Sequence, residues 1–126
     1  MDNVKFNYLY RDAGNYKKWA EVVFSNPDRL ALEATNNALR NAFLPDGLFI
    51  ASQVRLPEAF FSTEGEATSD DHCFHEFDVA EITLEDPNDR HERSISEFIA
   101  EVEKEEERGW VTFDRHDRLH QRRISD

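Results

Sequence analysis

The sequence predicts an α+β domain: a four- or five-stranded, mainly antiparallel sheet with two helices packed on one face. Three observations carry this. Aromatic and polar residues alternate near the N-terminus, the period of a half-buried strand. Two later segments repeat apolar residues at helical spacing behind a capping residue. The signals come in the order β-β-α-β-β-α, and the 126 residues match the size of one domain.

Val4, Phe6, Tyr8 and Tyr10 share one strand face, with Lys5, Asn7 and Leu9 between them. Asp12-Ala13-Gly14-Asn15 is rich in turn formers, and Trp19 to Phe24 is a second β-rich run, so a hairpin is expected. Ser25-Asn26-Pro27-Asp28 signals a helix start, and that helix should reach about Phe43. Leu32, Leu39 and Phe43 form its apolar stripe, flanked by Ala31, Ala34, Ala38 and Ala42. Pro45-Asp46-Gly47 turns the chain into a third strand, Leu48 to Val54.

A short helical turn is expected at Leu56 to Phe61, and a polar acidic loop from Ser62 to Asp71. The fourth strand, His72 to Leu84, is long enough to need a bulge or bend. After a polar loop from Asp86 to Arg93, Ser94-Ile95-Ser96-Glu97 fits a capping box. Ile95, Phe98, Ile99 and Val102 then mark a second helix that stops at Gly109. Val111-Thr112-Phe113 offers a late strand. Residues 1–113 are read as one domain, and 114–126 as an Arg-rich marginal helix or disordered tail.

The formal charge is −12. Residues 111–126 hold four Arg against three acids, so the first 110 residues carry −13. Such a body repels phosphate backbones and anionic lipid, and no apolar run spans a bilayer. Neither direct nucleic-acid binding nor membrane contact is expected. One cysteine, Cys73, rules out an internal disulfide. With an N-terminus unlike a signal peptide, it points to a reducing cytoplasm. Ten Phe supply a core without a cofactor or structural metal.

Three groups of residues are candidates for function. Glu97, Glu101, Glu103, Glu105, Glu106 and Glu107 give the second helix an acidic face. With Trp110 and the acidic 62–71 and 85–92 loops, they make a docking surface for a basic partner; solvation is the plainer role of such a face. Phe60, Phe61 and Trp110 are candidate anchors, with core packing as the alternative.

The segment Asp70 to Asp78 contains every common metal-ligand type. Its candidate ligands are His72, His75, Glu76 and Asp78. On a regular strand His72 and His75 face opposite ways, so chelation needs a bulge there. The competing assignment puts His72, Glu76 and Asp78 on an outer strand face, with His75 partly buried. Tyr8, Tyr10, Arg11, Tyr16, Lys18 and Trp19 form an aromatic-basic patch able to hold a small ligand. In the other assignment, its aromatics seat the sheet. Neither a nucleophile elbow nor a phosphate-cradling glycine loop occurs.

Tyr8-Leu9-Tyr10-Arg11-Asp12-Ala13-Gly14-Asn15-Tyr16-Lys17, Phe24-Ser25-Asn26-Pro27 and Asp71-His72-Cys73-Phe74-His75-Glu76-Phe77 resemble a family of small uncharacterised bacterial proteins. That family has no assigned activity, so the resemblance implies no functional residues. In size and charge the chain is also similar to inhibitors encoded by phages and to toxin-immunity proteins. The expectation is therefore a non-enzymatic acidic protein that docks on, and inhibits, a basic nucleic-acid-handling protein or toxin. A metal protein and a small-ligand binder are the alternatives.

Overall fold

The computed structural model describes residues 2–12, 14–60 and 72–113. Strands β1 (Asn3–Arg11), β2 (Lys17–Phe24), β3 (Leu48–Phe49) and β4 (His75–Thr83) form one antiparallel sheet in the order β2-β1-β4-β3. Helices α1 (Leu32–Ala42) and α2 (Ile95–Arg108) share one core with the inward residues Val4, Phe6, Tyr8, Val22, Phe24, Phe77 and Ala80. This is the α+β fold that the alternation and helical stripes predict. None of the described helices is long and apolar enough to cross a membrane.

The hairpin closes where the turn formers stand. Asp12 N–H donates to Tyr16 O at 3.0 Å, and Asp12 Oδ1 accepts from Tyr16 N–H at 2.9 Å. β4 carries the expected irregularity: Val79 faces Asn7 but Phe77 faces Tyr8, leaving Asp78 as the extra residue. That bulge restores the inward parity of Phe77 after Ala80. Phe6 is the centre of the core, with Phe77 stacked on it at 5.0 Å and Phe98 edge-on at 5.1 Å.

Several boundaries differ from expectation. α1 starts at Leu32 because Asn26 closes a local cage: its Oδ1 accepts from Leu30 N–H at 3.0 Å, and its Nδ2 donates to Leu30 O at 3.2 Å. Arg29 is left-handed inside that cage (φ 52°), so no helix can run through it. Thr35 rather than Ala34 is the buried residue of its first turns. The third strand is only two residues long. Ala51–Val54 tightens into a 3-10 turn ended by left-handed Arg55.

Residues 56–60 and 111–113 have no regular structure, which removes the expected short helix there and the late strand. Gly47 is required where it stands. Its φ is +74°, and a Cβ would meet Phe77 O at 3.0 Å. Phe61, the 62–71 loop and the 114–126 tail lie outside the described residues.

α2 matches its sequence signals. Glu97 N–H donates to Ser94 Oγ at 3.1 Å, and Ser94 N–H donates to Glu97 Oε1 at 2.9 Å. Ser94→Ala should therefore lower stability by about 1 kcal/mol. Urea unfolding measures this, and an unchanged midpoint would show that the cap contributes nothing.

Candidate functional site

The capping box fixes the register of α2, and the register decides which carboxylates reach water. Ile95, Phe98, Ile99 and Val102 point into the core, and Glu105 continues the same stripe, buried. Its carboxylate accepts from Gln53 Nε2 and Arg108 Nη1, each at 3.1 Å. Glu101 accepts from Arg55 Nε and Arg93 Nη1, each at 3.0 Å. Glu97 is occupied by the cap. Glu103, Glu106 and Glu107 are exposed, and among the described residues no ion pair holds them.

The acidic face read from the sequence is thus split. Glu101 and Glu105 hold the fold, Glu97 holds the helix end, and Glu103, Glu106 and Glu107 are left facing water. Trp110 is half-buried, its Nε1–H donating to Ala42 O at 3.3 Å and its ring 6.0 Å from Phe43. It seals the core instead of standing out as an anchor. Phe60 is buried against Tyr10 at 4.8 Å.

The 85–92 loop also turns part of its charge inward. Asp89 and Arg93 are buried, and every guanidinium N–H of Arg93 is used. Nε donates to Asp89 Oδ2 at 2.9 Å. Nη1 donates to Val54 O at 2.7 Å and to Glu101 Oε2 at 3.0 Å. Nη2 donates to Asp89 Oδ1 and Arg55 O, both at 3.0 Å. The guanidinium also lies 5.6 Å from the Phe24 ring centre and 5.1 Å from that of Phe98. The sequence predicts a polar loop from Asp86 to Arg93 whose acids belong to the docking surface; the burial of Asp89 and Arg93 differs from that. The available signal was Asp89 four residues before Arg93, immediately ahead of the capping serine.

Burial pushes the Asp89 carboxyl up, but the hydrogen bonds and charge of Arg93 outweigh it and hold the group below its ordinary value of 3.8. Glu101 behaves alike: burial raises it, while Arg55 and Arg93 bring it below 4.5. A carboxyl depressed by folding stabilises the fold at pH values above its unfolded value, and that contribution is lost as pH falls through its folded value. Thermal melts should therefore fall as pH drops below about 4. A midpoint unchanged down to pH ~2.5 would contradict this linkage.

The histidine segment is built into the sheet end. His72 Nδ1 accepts from Phe74 N–H at 3.1 Å, which assigns the proton to Nε2, 2.6 Å from Arg11 O. His75 is fully buried; its Nε2 accepts from Ala59 N–H at 2.8 Å, and its ring lies 5.4 Å from Tyr10 and 4.9 Å from Phe60. Glu76 takes a two-pronged grip from Arg11 at 2.8 and 3.2 Å. Asp78 is exposed at the bulge, and Cys73 is buried. The bulge lies beyond both histidines in the chain and does not bring them to a common face. Among the described residues no three His, Cys, Asp or Glu side chains converge as metal ligands.

The aromatic-basic hairpin is divided by the pleat. Tyr8 and Tyr10 are fully buried, donating to Pro57 O at 2.6 Å and His72 O at 2.9 Å. Burial pushes the Tyr8 phenol up, keeping it a neutral donor. Lys18 Nζ reaches Phe60 O at 3.3 Å. Tyr16 and Trp19 stand out, 72% and 58% exposed, and Lys18 is exposed beside them, whereas Tyr8 and Tyr10 are buried, so the six do not present one common surface.

A surface groove of 790 Å³ passes Arg11, Arg40, Asp46 and Glu76. Arg11 is held by Glu76, and Arg40 donates to Asp78 O at 2.7 Å and lies 4.9 Å from the Phe77 ring centre. These polar walls are engaged with the fold, with Asp46 as the exposed carboxylate of the groove.

Comparison with known proteins finds no matching family model, no matching curated protein and no matching solved structure. Residue roles at this site therefore rest on the geometry alone.

Proposed function

We propose that this chain is a non-enzymatic binding protein that docks an acidic helix face on a basic surface of another protein and blocks it. A nucleic-acid-handling protein or a toxin presents such a surface. The observation that carries the reading is the division of the α2 carboxylates. Glu101 is held by Arg55 and buried Arg93, and Glu105 by Gln53 and Arg108, whereas Glu103, Glu106 and Glu107 project into water. The net charge of −12 adds a long-range field that draws in basic partners and repels nucleic acid.

Capture from a lysate of the source cells tests this. The immobilised chain should retain proteins of high isoelectric point at about 0.15 M salt and release them as salt rises. The variant Glu103→Lys/Glu106→Lys/Glu107→Lys should not retain them. A retained set that is indifferent to salt and to the reversals would make this face a solubilising one.

A further inference from the structure

The two long edges of the sheet are treated differently by the fold. On β4, Asn36 of α1 takes the place of a neighbouring strand. Its Oδ1 accepts from Ala80 N–H at 2.9 Å, and its Nδ2 donates to Ala80 O at 3.1 Å. Arg40 covers Asp78 O, and β3 covers His75 and Glu76. On the β2 edge, Asn88 pairs with Val23 in both directions, at 2.8 and 3.0 Å. Nothing among the described residues covers the run from Lys17 to Glu21.

Val23 points its N–H and C=O outward to Asn88. Strand alternation then points those of Glu21, Trp19 and Lys17 the same way. Uncovered edges of this kind pair with other strands unless they are blunted. The charge that would blunt this one is only partly aimed along the edge: Lys18 is exposed, but its Nζ turns toward Phe60 O at 3.3 Å. Lys17 remains, with exposed Trp19 midway and, at the other end of the run, Glu21, half-exposed while one carboxylate oxygen meets Lys5 Nζ at 3.0 Å.

We propose that β2 is a self-association edge, and that its occupant is the β2 strand of a second copy of this chain. Antiparallel pairing about a two-fold axis at Trp19 sets Lys17 opposite Glu21 of the other copy, and Trp19 opposite its own equivalent. Each outward residue then exchanges both main-chain bonds with its opposite. Both charge pairs and the tryptophan pair stand on the sheet face opposite the helices, since Trp19 faces Leu9 in the hairpin. Shifting the axis to Lys18 would oppose two lysines, and shifting it to Ala20 would run Lys17 into the part of the edge that Asn88 occupies. Charge and available length thus select one register. The product is a continuous sheet of both copies with the helices on one side. The interface is small, so the dimer is concentration-dependent.

Sedimentation velocity of the full chain at about 0.15 M salt, from ~5 to ~500 µM, tests the proposal. The expected result is a shift from 14.8 kDa to twice that mass. Lys17→Glu and Glu21→Lys should each weaken the dimer about tenfold, by placing like charges opposite each other twice over. The double exchange Lys17→Glu/Glu21→Lys should restore it. Trp19→Pro removes an outward N–H that the hairpin does not use, and should leave a folded monomer by circular dichroism. Should Trp19→Pro not fold, the two charge variants at exposed sites carry the test. A monomer throughout the range overturns the proposal. So does a dimer unaffected by both single reversals, or a double exchange that fails to restore pairing.

Discussion

Arg93→Met is expected to destabilise the fold by about 3–5 kcal/mol, although it replaces one long side chain with another. The methionine can occupy the space beside the stacked Phe24 and Phe98 rings. What it cannot do is neutralise Asp89, which sits buried against the arginine. The carbonyls of Val54 and Arg55 also lose their donors. A second substitution separates these terms. Asp89→Asn in the wild-type background should destabilise, because it discards a charge-assisted pair. In the Arg93→Met background it should recover stability, because it removes an uncompensated buried charge while the amide oxygen can take the place of Asp89 Oδ2, which accepts from the residue 93 N–H. Equilibrium urea unfolding of the four proteins reads the sign change. Further loss on adding Asp89→Asn to Arg93→Met would contradict it.

Phe98→Ala should cost about 3–5 kcal/mol. The ring is fully buried, stacked on Phe24 at 4.5 Å and edge-on to Phe6 at 5.1 Å. It is also one of the two rings over which Arg93 lies. Removing it opens a cavity and strips the guanidinium of an aromatic wall. The losses from Phe98→Ala and Arg93→Met should therefore fall short of additivity when combined, since the residues share one interaction. A loss below ~1.5 kcal/mol for Phe98→Ala would mean that the site collapses around the smaller side chain.

What could be read from the sequence were the elements governed by local rules. The β1–β2 hairpin follows from alternation and turn residues. α2 follows from Ser94, Glu97 and the apolar stripe. The β4 bulge follows from strand length. The misplaced boundaries depend on contacts that local rules do not contain. α1 starts late because the Asn26 side chain bonds to Leu30 instead of capping. β3 is short because the chain tightens into a turn at Ala51.

At the candidate site, the acidic composition was legible but its direction was not. Glu105 extends the stripe of Phe98 and Val102, so helical periodicity alone marks it as inward. Glu101 is set by Arg55 and Arg93, which lie distant in sequence or outside the helix. The histidines were visible as a cluster. Only three-dimensional packing shows that each accepts a backbone N–H: His72 from Phe74 and His75 from Ala59.

The most direct test of the docking reading is the association rate with a captured partner, measured by stopped flow at low and physiological salt. The wild-type chain should associate fast and slow markedly as salt rises, because exposed charges more than ~8 Å apart are largely screened at physiological ionic strength. Glu103→Lys/Glu106→Lys/Glu107→Lys should slow association and flatten its salt dependence, with the thermal melt unchanged. Equal rates and equal salt slopes for the two proteins would contradict the assignment of this helix face to partner binding.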